Sequence, residues 1–275
     1  MDQEKLAKSL VDLPLGGIRF FKSTGSTNDE AARWIEEGAP DLALVVAEQQ
    51  TAGRGRMGRT WHTPPGAALA FSLVLHPEQD GHYILPRHTA LGALAVGDAL
   101  HSLYGLRPKV KWPNDVLLER RKVSGVLVEA QWSGGELAAL ILGIGINVAP
   151  ASVIKDTQLR YPATCVEEVL GGKIDRIELL GAVLSKILEW RPRLSSPAFL
   201  QTWEERLAFR GEWVKVYPGQ SPGKDGLPRD MESLPAPVYE GEIIGLAPDG
   251  SLRLRTSSGE IVIINVGEVR LGAAE

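Results

Sequence analysis

The chain has 275 residues, a formal net charge of −4 and a hydrophobic fraction of 44%. This length predicts one large domain with a substantial core and a smaller second domain. The weak negative charge argues against non-specific nucleic-acid binding through overall charge. A single cysteine, Cys165, excludes an intramolecular disulfide and indicates a reducing compartment. Because the sequence has neither a signal peptide nor an apolar run of the ~20 residues that span a bilayer, we expect a soluble cytoplasmic protein.

The first 150 residues predict a mixture of helices and strands. Ser26 and Thr27 precede the segment AARWIEEG, which predicts a helix that these hydroxyls cap and that Gly38 ends. A longer alanine- and leucine-rich helix is expected at 84–104. A charged turn at 119–122 and a Ser-Gly-Gly turn at 133–135 are expected to link neighbouring strands. The expected strands lie at 42–48, 67–75, 109–112, 116–118, 123–130 and 137–148.

The character of the sequence changes after Gly211. Before it, helical patterns occupy 164–170, 177–190 and 197–209. After it, short strands are separated by Gly, Pro or Ser turns, a pattern that predicts a small barrel. Residues 218–237 hold five prolines and three glycines and are interpreted as an insertion between its strands. The five expected strands lie at 213–217, 238–246, 252–256, 260–264 and 268–271.

Residues 53–61, called here the arginine loop, read GRGRMGRTW. Three arginines alternate with three glycines, and no acidic residue lies between Glu48 and Glu78 to neutralise them. The arginine side chain is charged at any physiological pH and presents a planar set of donors that matches phosphate or carboxylate. Glycine lets the backbone approach a ligand closely. The loop therefore predicts an anion-binding site.

The loop also matches the dinucleotide pattern G-x-G-x-x-G, which needs a helix directly after it to receive the pyrophosphate. The sequence continues instead with TPPG and a strand, so we reject a dinucleotide site. No P-loop motif occurs. A disordered Arg-Gly segment is the remaining alternative, and the flanking strands together with Trp61 argue for an ordered loop.

Two further segments carry candidate functional residues. The segment 109–129 reads KVKWPNDVLLERRKVSGVLVE, in which Pro-Asn-Asp predicts a turn between strands. An ordinary hairpin with a solvated tip explains much of it, but Lys122 enters an apolar strand beside Ser124 and Gly125, from where it can meet a carboxylate or phosphate. The segment 143–147 reads GIGIN. Its Asn147 is as compatible with a structural role at a strand end as with binding.

These three segments, in this order after Ser-Thr-Asn at 26–28, resemble the biotin–protein ligases. The resemblance runs from about Ser26 to the C-terminus. It implies an α+β (α/β) fold: a mixed-sheet, class II synthetase-like catalytic domain at 1–210 that binds biotin and ATP, and an SH3-like β-barrel at 211–275. It also implies the reaction, in which biotin and ATP form biotinyl-5′-AMP and the biotinyl group then passes to a lysine of the biotin carboxyl carrier protein of a carboxylase.

The resemblance further implies roles for individual residues. Catalytic roles fall to Lys122, Arg54 and Arg56, which contact the reacting carboxylate or phosphate. Asp115 would lie near the magnesium ion. The residues implied in biotin binding are Ser26, Thr27, Asn28, Gln50, Arg54, Gly55, Arg56 and Lys122. Those implied around ATP or the adenylate are Trp61, Lys111, Asn114, Asp115 and Asn147.

The residue types suit this chemistry. Activation of a carboxylate by ATP brings two anions together, and fixed positive charge stabilises the transition state. The mixed anhydride hydrolyses in water, which gives a closing glycine-rich loop a purpose. Magnesium prefers oxygen ligands and phosphates, so one carboxylate suffices. The five histidines show no metal-ligand spacing.

Other interpretations remain open. A lipoate–protein ligase resembles this family in fold, but the arginine loop favours biotin. A non-catalytic protein that binds nucleic acid through the Arg-Gly loop is an alternative of another class. Only about 25 residues precede the Ser-Thr-Asn segment, which is too short for a winged helix, so we expect no DNA partner and no membrane partner. The strand-rich edges make a homodimer plausible.

Overall fold

The structure is a computed structural model and describes residues 1–77, 85–154, 162–218 and 236–271. Helices account for much of the first 205 residues. Within the described ranges they are α1 (Gln3–Ser9), α2 (Thr27–Glu36), α3 (Leu85–Tyr104), α4 (Val166–Leu170), α5 (Arg176–Trp190) and α6 (Pro197–Glu205). Among the described residues, no helix combines the length and the apolar character that crossing a bilayer requires.

The strands form two sheets. The first has the order β1-β2-β3-β7-β6-β5-β4, and the second has the order β11-β10-β9-β8-β12. The strands of the first sheet are β1 (Gly17–Phe21), β2 (Ala43–Ala47), β3 (Ala68–Leu75), β4 (Lys109–Lys111), β5 (Asp115–Leu118), β6 (Arg121–Ser133) and β7 (Glu136–Asn147). Those of the second are β8 (Trp213–Tyr217), β9 (Tyr239–Leu246), β10 (Leu252–Arg255), β11 (Ile261–Ile264) and β12 (Glu268–Leu271).

The first sheet is mixed because β1 pairs with β2 in parallel, whereas its other pairs are antiparallel. The second sheet is antiparallel throughout. This arrangement confirms the predicted α+β fold with a small C-terminal all-β unit. The first 25 residues, for which the sequence suggested no element, contribute α1 and the edge strand β1.

Both edges of the first sheet are covered by other parts of the chain. At β1, the Gln3 side chain accepts from the Phe20 amide at 2.9 Å and donates to the Ile18 carbonyl at 2.9 Å. At β4, Val110 donates to the Arg206 carbonyl and accepts from the Ala208 amide, each at 2.8 Å. Covered edges do not offer free backbone groups to a second strand. The expectation of a homodimer through strand-rich edges stays a prediction.

The two faces of the first sheet are packed differently. On one face, side chains of Val126, Leu142 and Ile144 pack against Gly92 of α3, and a Cβ at Gly92 would lie 2.9 Å from Val126. Helix α5 packs against α3 behind this layer. On the other face, α2 covers β2, β3 and part of β7. The glycines that alternate with the residues of the α3 face therefore lie on the face that α2 partly covers.

Several element boundaries differ from prediction. The charged turn is Glu119–Arg120 alone, with both residues at positive φ (49° and 60°), so Arg121 and Lys122 belong to β6. Two left-handed residues match the type I′ turn that joins twisted antiparallel strands. The helix expected to reach residue 209 ends at Glu205. Ile84 and residues 219–235 of the predicted insertion lie outside the described residues.

The predicted cap of α2 is wrong in its chemistry. Ser26 occupies the N-cap position, but its side chain makes no capping hydrogen bond. Instead, the Thr27 amide donates to Oε1 of Gln50 at 2.8 Å. A side chain from the next strand-to-loop connection therefore satisfies the amide that a serine cap would otherwise take.

Candidate active site

One row of residues crosses the first sheet and joins the motifs that the sequence singled out. The pairings run Lys111 to Asp115, Asp115 to Gly125, Gly125 to Gly145, and Gly145 to Ala70. Residues paired directly across a sheet lie on the same face. This central row therefore begins with two buried charged residues and continues as two glycines and an alanine. It faces the side of the sheet on which α2 lies.

The GIGIN segment has glycines where a side chain would collide with a neighbouring residue. A Cβ at Gly145 would overlap the indole of Trp61, and a Cβ at Gly143 would overlap the carboxamide of Asn28. At Gly125, a Cβ would lie 3.3 Å from the Trp61 ring. Trp61 therefore lies flat over the glycines of two neighbouring strands. The spacing of the glycines, two residues apart, follows from the alternation of side chains along a strand.

A β-bulge directs Lys122 to this face. The register between β5 and β6 shifts after Val116, which pairs with Ser124, while Leu117 pairs with Lys122, so Val123 has no partner residue. The additional residue turns the Lys122 side chain to the same face as Gly125. Its Nζ lies 2.6 Å from Oδ1 of Asp115 and 5.5 Å from the centroid of the Trp61 ring. Lys122 thus meets a carboxylate of the protein itself, and its contact with a substrate carboxylate or phosphate stays a prediction.

Charged residues are concentrated beside this lysine. Burial raises the pKa of Asp115, but Lys122 and Lys111 lower it more, so its pKa lies below the ordinary value. Burial lowers the pKa of Lys111, which is 5% exposed. The pKa of Arg56 is also lowered by burial. In this charged cluster, five cations face two carboxylates, an excess of three positive charges: Arg56, Arg59, Lys111, Lys122 and Arg270, with Asp115 and Glu268.

The second sheet contributes Glu268 to the cluster. Its carboxylate forms an ion pair with Arg59 of the arginine loop. Burial raises the pKa of Glu268, but Arg59, Arg270 and Lys111 lower it more, so its pKa lies below the ordinary value. A second contact comes from Trp112, the residue after Lys111, whose Nε1 donates to the Gly250 carbonyl at 3.0 Å. The small C-terminal unit thus touches both the loop and the charged end of the central row.

The arginine loop is folded back on itself. The Trp61 amide donates to the Gly53 carbonyl at 2.8 Å, and the Gly55 amide donates to the Arg59 carbonyl at 2.6 Å. A short 3-10 turn, Arg56–Gly58, forms its tip, with Met57 in the left-handed region at φ 59°. The strand β3 follows the loop where a dinucleotide site would have a helix. The rejection of that site is confirmed.

Each arginine of the loop has a protein partner. Arg54 forms ion pairs with Asp29 and with Glu129, the latter at 2.9 Å. Arg56 donates to Oδ1 of Asn114 at 3.2 Å. Arg59 pairs with Glu268, as described above. An Arg-Gly segment that served nucleic acid would present these guanidinium groups to solvent, so the arrangement disfavours that alternative.

A chain of polar groups runs beneath α2. Nδ2 of Asn28 donates to Glu129 at 2.6 Å, and the Ser72 hydroxyl donates to Oδ1 of Asn28 at 2.6 Å. Ser72 also lies 2.8 Å from the Thr27 hydroxyl, which donates to Gln50 at 3.1 Å. Thr27, Asn28 and Ser72 are buried. This polar chain brings together three of the residues predicted to bind biotin.

Two predicted residues have structural contacts of their own. Nδ2 of Asn147, at the end of β7, donates to the Thr164 carbonyl at 3.0 Å. Nδ2 of Asn114 donates to the Val126 carbonyl at 3.0 Å. These bonds hold the ends of strands in place. Oδ1 of Asn114 accepts from Arg56 of the arginine loop, as described above.

Sequence reasoning missed Glu129, Ser72 and Glu268. Glu129 was part of a quoted motif, and its place two and four residues after Leu127 and Gly125 assigns it to the same face of β6. That signal could have identified it. Ser72 and Glu268 come from strands that meet the motifs only through tertiary pairing, so their sequences gave no local signal.

The described residues contain no group of three or more His, Cys, Asp or Glu side chains that could hold a metal ion. The carboxylate of Asp115 instead faces Lys122 at 2.6 Å and Lys111 at 3.8 Å. Such a donor set fits a magnesium ion that arrives on phosphate groups, with one protein oxygen beside it. It does not fit a metal cage made by the protein alone.

Comparison with known proteins agrees with this geometry. The sequence model of the "Biotin/lipoate A/B protein ligase family" matches residues 19–147, and that of the "Biotin protein ligase C terminal domain" matches residues 231–272. The biotin–[acetyl-CoA-carboxylase] ligase of Paracoccus denitrificans is 33% identical over 246 residues, which cover 87% of this chain and 95% of that protein. The chain belongs to the biotin–protein ligase family. The bifunctional ligase/repressor BirA of Bacillus subtilis is 37% identical over 159 residues, and the chain spans about half the length (49%) of that relative.

Solved structures of the biotin–protein ligase family have the same fold. The biotin protein ligase from Aquifex aeolicus in complex with biotin and ATP aligns with a TM-score of 0.74 and 30% identity, over 94% of this chain and 99% of that one. The apo structure of the same enzyme aligns with a TM-score of 0.71 and 26% identity. The prediction of a mixed-sheet ligase fold with a small C-terminal all-β unit is therefore confirmed.

Proposed function

We propose that the protein joins biotin and ATP into biotinyl-5′-AMP and transfers the biotinyl group to a lysine of a carboxylase's biotin carboxyl carrier protein. The observation that carries this proposal is that the charged cluster, with its excess of three positive charges, lies beside the glycines of the central row. Two anionic substrates that react with each other need fixed positive charge next to a neutral pocket. The relatives named above, including one with biotin and ATP bound, support the same choice of substrates.

In the first step, a carboxylate oxygen of biotin attacks the α-phosphorus of ATP, and pyrophosphate leaves. We assign to Lys122 and Arg56 the stabilisation of the charge that develops on these oxygens. Lys122 is held in position by Asp115 at 2.6 Å and by its place on the β-bulge. Preorganised charge of this kind requires no rearrangement during the reaction. Asp115 is the carboxylate that would hold a magnesium ion bound to the phosphates, and the ion would supply further positive charge there.

In the second step, the lysine amine of the carrier attacks the acyl carbon of biotinyl-5′-AMP, and AMP leaves. The mixed anhydride must be kept from water until then. Trp61 and the arginine loop are placed over the glycines of the central row, and we propose that they cover the adenylate. The polar chain from Thr27 to Gln50 would receive the neutral end of biotin. We propose Ser26, Gly55, Lys111, Asn114 and Asn147 as neighbours of the ligands.

The proposal has three further parts. We place the activity in the cytoplasm because the buried Cys165 has no disulfide partner. We propose a catalytic unit at 1–210 and an SH3-like unit at 211–275, with Glu268 as the contact from the second to the site. A homodimer would need a surface other than the edges of the first sheet, since both edges are covered.

The direct test mixes the protein with biotin, magnesium-ATP and an apo carrier domain, and then weighs the carrier. A mass gain of one biotinyl group supports the proposal. The absence of that gain, with a carrier that another ligase does modify, would overturn it. Lipoate in place of biotin is the matched control, because the family model spans both ligands. A gain with lipoate alone would select the lipoate–protein ligase function instead.

A further inference from the structure

Glu129 lies outside the charged cluster, yet it connects three separate elements. It belongs to β6 and lies on the same face as Gly125. Its carboxylate accepts from Nδ2 of Asn28 in α2 at 2.6 Å. It also accepts from Nη2 of Arg54 in the arginine loop, at 2.9 Å and 3.1 Å for its two oxygens. One carboxylate thus holds the sheet, the start of a helix and the loop together.

The contact with Arg54 anchors the arginine loop. The guanidinium lies between Glu129 on the sheet and Asp29 on α2. The side chains are about one-third exposed (39% for Arg54 and 31% for Glu129), so solvent weakens the pair but does not screen it fully. Arg54 precedes the tip of the loop, which is the part placed near the charged cluster. Glu129 therefore holds the base of the loop, whereas Asn114 and Glu268 contact Arg56 and Arg59 at its tip.

The contact with Asn28 fixes the polarity of the polar chain. A carboxylate can only accept hydrogen bonds, so the NH₂ group of Asn28 must face Glu129. Oδ1 of Asn28 then faces the Ser72 hydroxyl at 2.6 Å. Gly143 leaves the space in which the carboxamide lies. Without the Glu129 carboxylate, this contact would no longer favour one orientation of the Asn28 carboxamide over the flipped one.

We propose that Glu129 is a positioning residue that acts through two neighbours: it orients Asn28 in the biotin pocket and anchors the arginine loop through Arg54. The first half of this inference rests on the proposed function, since it concerns biotin. The second half does not, because loop anchoring is a property of the free protein. Glu129 itself contacts no member of the charged cluster.

The test compares Glu129→Gln with the matched control Glu136→Gln, an exposed glutamate at the far end of the same hairpin. Glutamine preserves the shape of the side chain but removes its charge and presents donors to Asn28. We expect the KM for biotin to rise about tenfold, because a charge-assisted hydrogen bond to Asn28 is lost. The KM for ATP should change less than about twofold. A purely structural defect would affect both constants.

A second measurement works without any substrate. Trypsin cleaves after arginine, and the loop contains three. We expect cleavage within the arginine loop of free Glu129→Gln to be roughly tenfold faster than in the wild type, and unchanged in Glu136→Gln. Arg54→Gln should expose Arg56 and Arg59 to the same extent. Adding Glu129→Gln to Arg54→Gln should then change cleavage little, because the two residues act through one contact.

The outcomes are separable. Cleavage and a biotin KM equal to those of Glu136→Gln would overturn the inference. Faster cleavage in Glu129→Gln that persists equally in the Arg54→Gln background would overturn the anchoring through Arg54. If Glu129→Gln does not fold, Arg54→Gln alone decides, and slow cleavage there contradicts the anchor. A wild type that transfers no biotin counts against the proposed function, whereas the cleavage comparison still decides the role of Glu129.

Discussion

The two ends of the central row solve different physical problems. At one end, Gly125, Gly145 and Ala70 provide almost no side-chain volume, and Trp61 fills the space above them. At the other end lie two buried charged residues, Lys111, whose pKa burial lowers, and Asp115, whose pKa is lowered by Lys122 and Lys111 against the effect of burial. The glycine end determines the shape of the surface that a ligand meets, and the charged end determines the electrostatic potential there.

This difference predicts how each end fails. A side chain added at the glycine end collides with Trp61 and changes the surface that a ligand meets. A charge removed from the charged end leaves the shape intact but unbalances the cluster. The glycine end should therefore be sensitive to volume and tolerant of ionic strength, and the charged end should show the reverse.

The largest effect is expected from Lys122→Ala at the charged end. Loss of one preorganised donor at the reacting oxygens should lower the rate of biotinyl-5′-AMP formation on the order of 100- to 1,000-fold. Single-turnover formation of the adenylate measures this rate. The exposed Lys173 gives the matched control, Lys173→Ala. Adenylate synthesis at the wild-type rate in Lys122→Ala would remove Lys122 from the mechanism.

Gly145→Ala should break the glycine end. Its methyl group would overlap the Trp61 indole, and overpacking of this kind costs about 1–3 kcal/mol. If the indole moves to accommodate it, the affinity for the adenylate should fall about 10- to 100-fold, as calorimetry would measure. Gly172→Ala is the control, because no atom lies within 4 Å of its added Cβ. Equal affinities in the two variants would show that Trp61 does not cover the ligand.

A smaller effect is expected from Arg56→Ala, which belongs to the loop over the charged end. We expect the variant still to form the adenylate, more slowly because Arg56 is assigned to the reacting oxygens, and to release it about tenfold faster because one charge-assisted contact is lost. Release is measured by trapping free biotinyl-5′-AMP after formation. The exposed Arg193 provides the comparison, Arg193→Ala. A release rate like that of Arg193→Ala would separate Arg56 from closure of the loop.

The smallest effect is expected from Glu268→Gln, which tests the contact from the second sheet. The pKa of Glu268 is depressed in the folded protein, so its ion pair stabilises fully above the ordinary value of 4.5 and is lost as the pH falls below it. We expect the variant to lose no more than about 1 kcal/mol of unfolding free energy near neutral pH. Urea unfolding at several pH values should show the difference from wild type narrowing below 4.5. A constant difference would assign the effect to packing instead of charge.

Much of the fold could be predicted because local patterns were consistent with it. The glycine spacing of GIGIN, the Pro-Asn-Asp turn and the strand after the arginine loop each had a local physical reason. The cap of α2 was predicted wrongly because Gln50, distant in sequence, satisfies the amide that Ser26 was expected to serve. The strand β1 was missed because its five residues are all only partly buried and show no alternation.

The candidate site was predictable where a motif carries its own chemistry. Lys122 and the loop arginines were found because charge in an apolar or glycine-rich setting is unusual. Glu268 was not found, because its partner Arg59 lies 209 residues earlier and only the packing of the two sheets brings them together.

Because of the β-bulge at Val123, the face on which Lys122 lies depends on the number of residues between Lys122 and Gly125. Removing one residue between Lys122 and Gly125 would restore an even register with β5 and would turn the lysine to the α3 side, where apolar residues pack. A residue inserted there would have a comparable effect. The distal tip at Gly134 and Gly135 can change in length without reversing any of these side chains. Insertions and deletions in the hairpin of β6 and β7 should therefore occur near Gly134 and Gly135 and not beside Lys122. This restriction on length holds even if substitutions near the lysine are tolerated.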